Sequence, residues 1–366
     1  MNYTFELNNE RKDANYVSGQ IKDKSPVVEI FSAMVKGKDL APFGKRGDAG
    51  AKFIKELNQK AANGDLVAAS ELNELRRFAM QPILMQEMKL LSIYGNYKPL
   101  GYEESCEVEI PEFANVNPKI QALGQDVSFP VIRKHRVPIA TTTVSGGYSV
   151  NYRKASLGDM TLENELQDQV RVQIRNATSV YVIKTIYNAV KNAKGVKYFF
   201  EDAGLTKTNI DKLLANVRRF GKVTVTGDYA LISQFNGLAG YTGVTPTVSG
   251  ISEAVMKEIH DTGLMGMYNG SVLSEIPNPY NLAVLNKDGD NFETMLPAGL
   301  GFAFPANGQS PIYTVTRGGL TSFSGNDVTT GEIMIRMDLE VGALIAPGRE
   351  YMIGMIHDTN LDDLAS

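Results

Sequence analysis

The spacing of apolar residues switches to two at Cys106, and this switch predicts a β-hairpin. In 106–110 three apolar side chains alternate with two glutamates, and 127–131 repeats the alternation. A stretch containing proline, asparagine and glycine, 111–126, separates the two runs. Alternation with period two is typical of strands that bury one face. Because an isolated two-stranded ribbon is marginally stable in water, we expect the hairpin to lie on another surface.

After the hairpin, the pattern predicts one more strand and then a very long helix. The strand covers 148–152 and follows Gly146 and Gly147, which indicate a turn. From 161 to 194 the apolar residues recur every three or four positions, as on one face of an amphipathic helix. At 1.5 Å per residue, such a helix is roughly 50 Å long.

The sequence also indicates the ends and the buried face of this helix. Thr161 can cap its first turn, Glu163 suits the positive end of the helix dipole, and Gly195 favours a stop. We expect Val170 and Ile183 to face a sheet. The complete apolar stripe consists of Leu162, Leu166, Val170, Ile174, Ala177, Val180, Ile183, Tyr187 and Val190.

The first fifty residues predict an extended arm. They mix charged residues with short apolar bursts at 27–35, and the loop-forming residues Pro42, Gly44 and Gly47 follow. An arm cannot bury these bursts by itself. They therefore need a partner surface, either elsewhere in the subunit or on a neighbour.

Two helices are predicted between the arm and the hairpin. Helical spacing covers 51–62, and it resumes at Ser70, whose hydroxyl is suited to an N-cap. Pro82 is expected to kink or restart the second helix, because proline removes one backbone donor and clashes with the preceding turn. The helix then continues to Gly95.

Residues 196–330 predict a separate domain of mixed helices and short strands. Helices are indicated at 209–220 and 252–260, and a strand at 222–226 leads into 228–235. Dense proline and glycine then space several short strands.

The chain closes in a regular strand. Apolar residues occupy every second position of 333–341, and mostly charged residues occupy the positions between them. This alternation predicts a strand with one buried face, and 351–355 predicts a return strand after a Pro-Gly turn.

Composition permits a large folded protein and argues against a DNA-binding module. The 366 residues include 43% hydrophobic and 21% charged residues, and the net charge is −4. Proteins that bind DNA through phosphates need a basic surface. No apolar stretch approaches the roughly 20 residues that span a bilayer, and 1–10 lacks the apolar core of a signal peptide. The single Cys106 excludes an internal disulfide framework and fits a reducing cytosol.

The residue types of catalytic and metal sites are scattered in this chain. His135, His260 and His357 lie far apart and none has the spacing of metal ligands. The carboxylates at 288 and 290 lack the ligand positions of a calcium loop, so a turn is the better interpretation. No glycine-rich segment has the pattern of a phosphate-binding loop. The sequence therefore assigns no catalytic, cofactor-binding or metal-binding residue.

One basic cluster, 133–136, leaves two interpretations open. The residues form either a solvated strand face or a contact with an acidic patch of another subunit. The candidate acidic partners are Glu103, Glu104, Glu107 and Glu109.

The segment 149–166, in which a strand enters the long helix, carries a resemblance to a known family. Together with the order of hairpin, helix and alternating strand over about 100–366, it resembles the major capsid proteins of tailed phages, which have the Hong Kong 97-type fold. The resemblance implies an α+β fold in which an extended loop precedes a spine helix. It divides the chain into an arm with helices (1–100), the extended loop (101–158), a peripheral domain (159–195 and 326–366) and an axial domain (196–325).

The resemblance further implies a structural protein that assembles with itself into an icosahedral shell of pentamers and hexamers around double-stranded DNA. Its partners would be other copies of itself, a scaffolding protein and a portal, and it would need no cofactor, metal or membrane. It would be assembled in the host cytoplasm and would reside in the virion capsid. No cleavable scaffolding region is evident, which implies a separate scaffold or a retained arm. The residues expected to contact neighbouring subunits are Phe113, Ile120, Leu123, Arg133, Lys134 and Arg136.

Some members of that family cross-link a loop lysine to an asparagine of a neighbour. Lys119 lies near the hairpin tip, and Asn326 or Asn360 could accept it, but no signature marks these residues.

Two other classes of protein stay open. An encapsulin shares the fold but is usually shorter, without the hundred residues that precede Tyr102 here. An α/β enzyme is disfavoured because histidine, aspartate and cysteine do not cluster.

Overall fold

A computed structural model describes residues 26–111, 134–151, 153, 161–239, 257, 259, 261–285, 289–306, 310–327 and 329–361. The chain divides into two compact units. The first unit comprises 1–93, 142–181 and 316–341, and the second unit comprises 94–141, 182–315 and 342–366.

Within the described residues the structure is of the predicted mixed α+β class. The helices are α1 (Pro26–Val35), α2 (Lys45–Ala62), α3 (Leu66–Met88), α4 (Thr161–Lys191), α5 (Lys207–Val217) and α6 (Tyr229–Leu238). The strands are β1 (Asn96–Leu100), β2 (Glu107–Pro111), β3 (Lys134–Pro138), β4 (Thr141–Asn151), β5 (Tyr198–Asp202), β6 (Val223–Gly227), β7 (Met267–Tyr268), β8 (Ser271–Glu275), β9 (Tyr280–Leu285), β10 (Phe292–Thr294), β11 (Leu300–Pro305), β12 (Ile312–Asp327), β13 (Glu332–Ile345) and β14 (Gly354–Asp358).

Helix α1 corrects the prediction of an extended arm for the part of the arm that the structure describes. Its apolar residues are buried in a cluster with α2 and α3, which includes Phe31, Ile54 and Leu75. The apolar bursts therefore find their partner surface within the same chain, and burial of that surface stabilises the helix. Residues 1–25 of the predicted arm lie outside the described residues.

Helix α3 begins earlier than predicted and does not restart at Pro82. Its N-cap is Asp65, whose carboxylate accepts hydrogen bonds from the backbone of Val67 and Ala68. Ser70 lies inside the helix, so the prediction that it forms the cap was wrong. Aspartate at this position satisfies two of the backbone donors that every helix leaves free at its start.

Strand β4 is longer than predicted because Gly146 and Gly147 do not form a turn. Both lie within the strand. A Cβ atom on Gly146 would lie 2.9 Å from Val170 Cγ1, and one on Gly147 would lie 2.9 Å from the backbone oxygen of Ile335. The glycines therefore permit close approach of helix α4 on one side and of β13 on the other. Close approach of a neighbouring segment is a common reason for glycine within a strand. The sheet that contains them has the strand order β1-β12-β13-β4.

Helix α4 confirms the long helix, and its 31 residues make it about 46 Å long. Its buried stripe differs in part from the predicted one. Ala177 is exposed, whereas Thr178 is buried. The stripe of buried residues at spacings of three or four consists of Glu163, Gln167, Val170, Ile174, Thr178, Val182, Ile186 and Val190. The first two residues of this stripe are polar, and the later ones are apolar except for Thr178.

The second unit contains a six-stranded sheet of order β5-β14-β11-β6-β8-β7. Helices α5 and α6 contribute Leu213 and Phe235 to a core with Val225 of β6 and Ile356 of β14. The predicted return strand therefore does not pair with β13. It forms β14, which pairs in parallel with β5 and antiparallel with β11.

Strand β13 confirms the predicted alternation. Ile335, Met337 and Leu339 are buried, whereas Met334 and Arg336 are exposed. The predicted helix at 209–220 is α5 followed by one turn of 3₁₀-helix. The predicted helix at 252–260 lies almost entirely outside the described residues. None of the helices in the described ranges combines the length and the apolar character needed to cross a membrane.

Candidate functional site

The hairpin β2–β3 presents one charged face and one largely apolar face. Val108 lies opposite Val137, and Glu109 lies opposite Arg136. Because side chains alternate between faces, Val108 points to the side opposite Glu109. Val108 contacts a small buried cluster of the second unit that includes Ile139. Packing on this cluster fixes the root of the hairpin and leaves its charged face exposed.

Three charged side chains form an ion-pair ladder on the exposed face. The Lys134 Nζ lies 3.3 Å from Oε2 of Glu109, and the Arg136 Nη2 lies 3.2 Å from its Oε1. Hydrogen bonds from Lys134 and from Arg136 lower the pKa of Glu109. Glu109 therefore stays charged at neutral pH and is protonated only below the usual glutamate pKa of about 4. The net charge of the ladder is +1.

The ladder bears directly on the predicted contact residues. Lys134 and Arg136 are exposed and adjacent, as a contact surface requires. Two of the four candidate acidic partners are paired within the chain, since Glu109 belongs to the ladder and Glu104 lies 3.5 Å from Lys98. The predicted contact residues Phe113, Ile120, Leu123 and Arg133 lie outside the described residues.

A buried polar cluster in the first unit holds helix α4 against α3 and β4. The Arg76 Nε lies 2.5 Å from Oε1 of Glu163, and the hydroxyl of Tyr148 and the amide of Gln167 donate to the same oxygen at 3.3 and 3.2 Å. Burial by itself lowers the pKa of Arg76, but the charges of Glu163 and Tyr148 and the hydrogen bonds to both groups together outweigh burial, so the pKa of Arg76 is raised. Burial, reinforced by Glu163, raises the pKa of the Tyr148 hydroxyl.

The sequence interpretation assigned Glu163 only to the helix dipole and missed this cluster. The available signal was its spacing. Glu163 and Gln167 lie seven and three residues before Val170, so they continue the buried stripe into the first turns of the helix. A charged residue on a buried helix face needs a partner, because an unpaired buried charge is very costly. A second pair, Arg171 with Glu87, links α4 to α3 in the same way.

The remaining titratable groups do not converge on a reaction centre in the part of the chain that the structure describes. No group of three or more potential metal ligands occurs among these residues. His135 is exposed on β3, and the Nδ1 of His357 lies 3.1 Å from Oε1 of Glu201. The notable features of the described residues are thus an exposed charged surface on the hairpin β2–β3 and a buried polar cluster that positions helix α4.

Comparison with known protein families identifies one that matches most of the chain. A family model described as "SPbeta prophage-derived putative capsid protein YonB" matches residues 7–357. A search of curated proteins found no match.

The chain also shows distant likeness to solved structures. One is from Microbacterium phage Oxtober96, with 10% identity over 72% of this chain and 89% of that chain and a TM-score of 0.48. The virus-like particle from Pyrococcus furiosus has 11% identity over 76% of this chain and 97% of that chain, with a TM-score of 0.44. The SrpI encapsulin of Synechococcus elongatus PCC 7942 has 11% identity over 75% and 88%, with a TM-score of 0.47.

Proposed function

This chain belongs to the family of the SPbeta prophage-derived putative capsid protein YonB, and we propose that it builds an icosahedral shell of pentamers and hexamers. The observation that carries the proposal is the family match, which covers residues 7–357 of 366. The shell encloses double-stranded DNA without sequence-specific binding, in the virion of a tailed phage. A scaffolding protein and a portal are its further partners, and assembly takes place in the host cytoplasm.

In this proposal the parts of the chain have distinct roles. Residues 101–158 form the extended loop, 159–195 and 326–366 the peripheral domain, and 196–325 the axial domain, while 1–100 form the arm and its helices. Three described features support the assignment: a hairpin precedes the long helix α4, a mixed sheet domain follows it, and the long strands β12 and β13 come after that domain. The protein acts through assembly and not through catalysis.

The charge of the chain suits a container. With a net charge of −4, its surface has no general attraction for phosphates, so packed DNA can move along the wall. Each contact between subunits can be weak, because closed symmetry repeats it many times.

Electron microscopy and sedimentation of the purified protein test this function. We expect closed shells, and we expect shells recovered from infected cells to contain DNA. Shells filled with a protein cargo would instead indicate an encapsulin. A protein that stays a 40.0 kDa monomer at all concentrations and salt conditions, with and without scaffold, would contradict the proposal.

We further propose that Phe113, Ile120, Leu123, Arg133, Lys134 and Arg136 contact a neighbouring subunit. Support comes from the ladder on the hairpin. Glu109 neutralises only one of its two cations, and both cations are largely exposed. An acidic surface on the neighbour would satisfy the remaining charge and fix the register of the contact.

Charge reversal of Lys134 and Arg136 to glutamate is expected to weaken assembly, and the loss should be greater at low salt. The reason is screening: the Debye length is about 30 Å at 0.01 M salt and about 3 Å at 1 M. The folded subunit should keep its melting behaviour, since these side chains are 63% and 70% exposed. Sedimentation at several salt concentrations measures the effect.

Glu109→Gln is the matched control for this prediction. It removes the acidic member of the ladder and raises the net charge of the hairpin by one unit. We therefore expect it to strengthen assembly at low salt, opposite to the double reversal. Identical salt dependence of all three proteins would show that the ladder does not meet a charged neighbour.

A further inference from the structure

The hairpin β9–β10 exposes an unusual concentration of apolar side chains. Within two short strands, five large apolar residues are exposed to solvent: Tyr280, Leu282, Val284, Leu285 and Phe292. Leu282 is the most exposed of them, at 73%. The two strands form a sheet of their own, and among the described residues no third strand pairs with either edge. Soluble proteins usually cover or charge such edges.

The pairing of β9 with β10 is irregular around Leu282. Phe292 pairs with Leu285, but the next residue, Glu293, pairs with Asn281, so 282–284 have no opposite residue on β10. Bulges of this kind change the direction of side chains and interrupt strand pairing. Leu282, the most exposed residue of the hairpin, therefore lies in a part of β9 that has no opposite residue on β10.

Hydrogen bonds of Asn278 connect the two ends of the hairpin at its base. The side-chain amide of Asn278 donates to Asp228 Oδ2 at 2.9 Å and to the backbone oxygen of Leu296 at 2.8 Å. Its side-chain oxygen accepts from the backbone nitrogen of Leu296 at 2.9 Å. Below the strands, the backbone nitrogen of Met295 also donates to the oxygen of Pro279. One asparagine therefore ties both ends of the hairpin to the N-cap of α6, and a preordered surface loses less entropy when it binds.

The chemistry of the hairpin narrows the choice of partner. Glu293 is the only charged residue on its two strands, and the connection between them carries Lys287, Asp288 and Asp290, so the formal charge of 280–294 is −2. An acidic hairpin does not favour phosphates or anionic lipid headgroups. The two strands contain six and three residues, whereas a stable separate complex buries roughly 20–30 residues on each side. The patch therefore suits a contact that becomes stable only when symmetry repeats it.

We propose that the β9–β10 hairpin docks on a second copy of this chain, with Leu282 as its central contact. The inference rests on the proposed shell function, because a shell is the assembly that repeats a weak apolar contact many times. It assigns that function a specific contact surface, distinct from the charged hairpin β2–β3.

Leu282→Glu tests the contact, with Val196→Glu as its matched control. Val196 is also exposed, at 65%, and lies outside both hairpins. We expect both variants to melt like the wild type, and we expect only Leu282→Glu to require at least tenfold more protein for assembly. Wild-type assembly by Leu282→Glu would overturn the inference while leaving the shell function intact. Absence of assembly by the wild type would overturn the shell function itself.

Cross-linking identifies the partner. A photo-reactive phenylalanine analogue in place of Leu282 should give, under assembly conditions, a product of two 40.0 kDa chains. The same analogue in place of Val196 should give none. A product formed only with a scaffolding protein or with DNA would contradict the assignment to a second copy.

Discussion

Replacement of Arg76 by methionine is expected to lower the free energy of unfolding of the subunit by about 3–5 kcal/mol. The substitution leaves the carboxylate of Glu163 buried without its cation, in contact only with the neutral donors Tyr148 and Gln167. Arg76 and Glu163 are 4% and 5% exposed, so water cannot replace the lost partner. Urea unfolding of dissociated subunits measures the change.

The double variant Arg76→Met with Glu163→Gln separates the charge from the packing. It removes both charges and keeps an amide oxygen that can accept hydrogen bonds from Tyr148. Because an uncharged pair avoids desolvation of ions, the double variant should recover most of the stability that the single variant loses. A single variant that costs less than about 1 kcal/mol would be typical of a surface pair and would contradict the buried cluster.

Val170→Asp is expected to cost about 3–5 kcal/mol, because it places an unpaired charge in the interface between α4 and β4. Val170 is 3% exposed, and its side chain lies against Gly146. Ala177→Asp is the control on the same helix. The sequence placed Ala177 in the apolar stripe, whereas the structure exposes it, so this variant should change stability by less than about 0.5 kcal/mol. Equal losses from the two variants would favour the predicted stripe over the observed one.

Periodicity in the sequence predicted the elements that bury one continuous face. Strand β13 has one buried and one exposed face, so its alternation was visible without the structure. Helix α4 is long enough for many turns to average out local exceptions, and its ends were predicted within three residues. The same reasoning failed for α1, because its apolar residues are almost continuous and therefore show neither period.

Glycine and buried charge were harder to interpret. Two consecutive glycines, such as Gly146 and Gly147, are found both in turns and in strands that a neighbouring segment approaches closely. Only the positions of Val170 and Ile335 in the structure show that the second explanation applies here. The partner of Glu163 lies 87 residues away on α3, a separation that no local pattern reports. The position of β14 between β5 and β11 likewise depends on pairing between distant segments.

Of the two candidate contact surfaces, the sequence indicated one in part and did not indicate the other. The basic residues Lys134 and Arg136 were recognised from their clustering, but their pairing with Glu109 depends on the register of the hairpin. The apolar hairpin β9–β10 was not recognised at all. Its residues have the composition of an ordinary buried strand, and only the three-dimensional structure shows that nothing described covers them.

The polar start of helix α4 determines how the helix is aligned along its own axis. The buried residues Ile174, Thr178, Val182, Ile186 and Val190 are spaced four apart, so a slide by one turn, about 5.4 Å, would bring each of them near the position of the next, and four of the five are apolar. Apolar packing alone would barely distinguish the correct alignment from the shifted one. A slide of that size would, however, carry Glu163 out of reach of Arg76. The ion pair between Arg76 and Glu163 thus fixes the axial position of a helix whose repeated apolar side chains alone would not fix it.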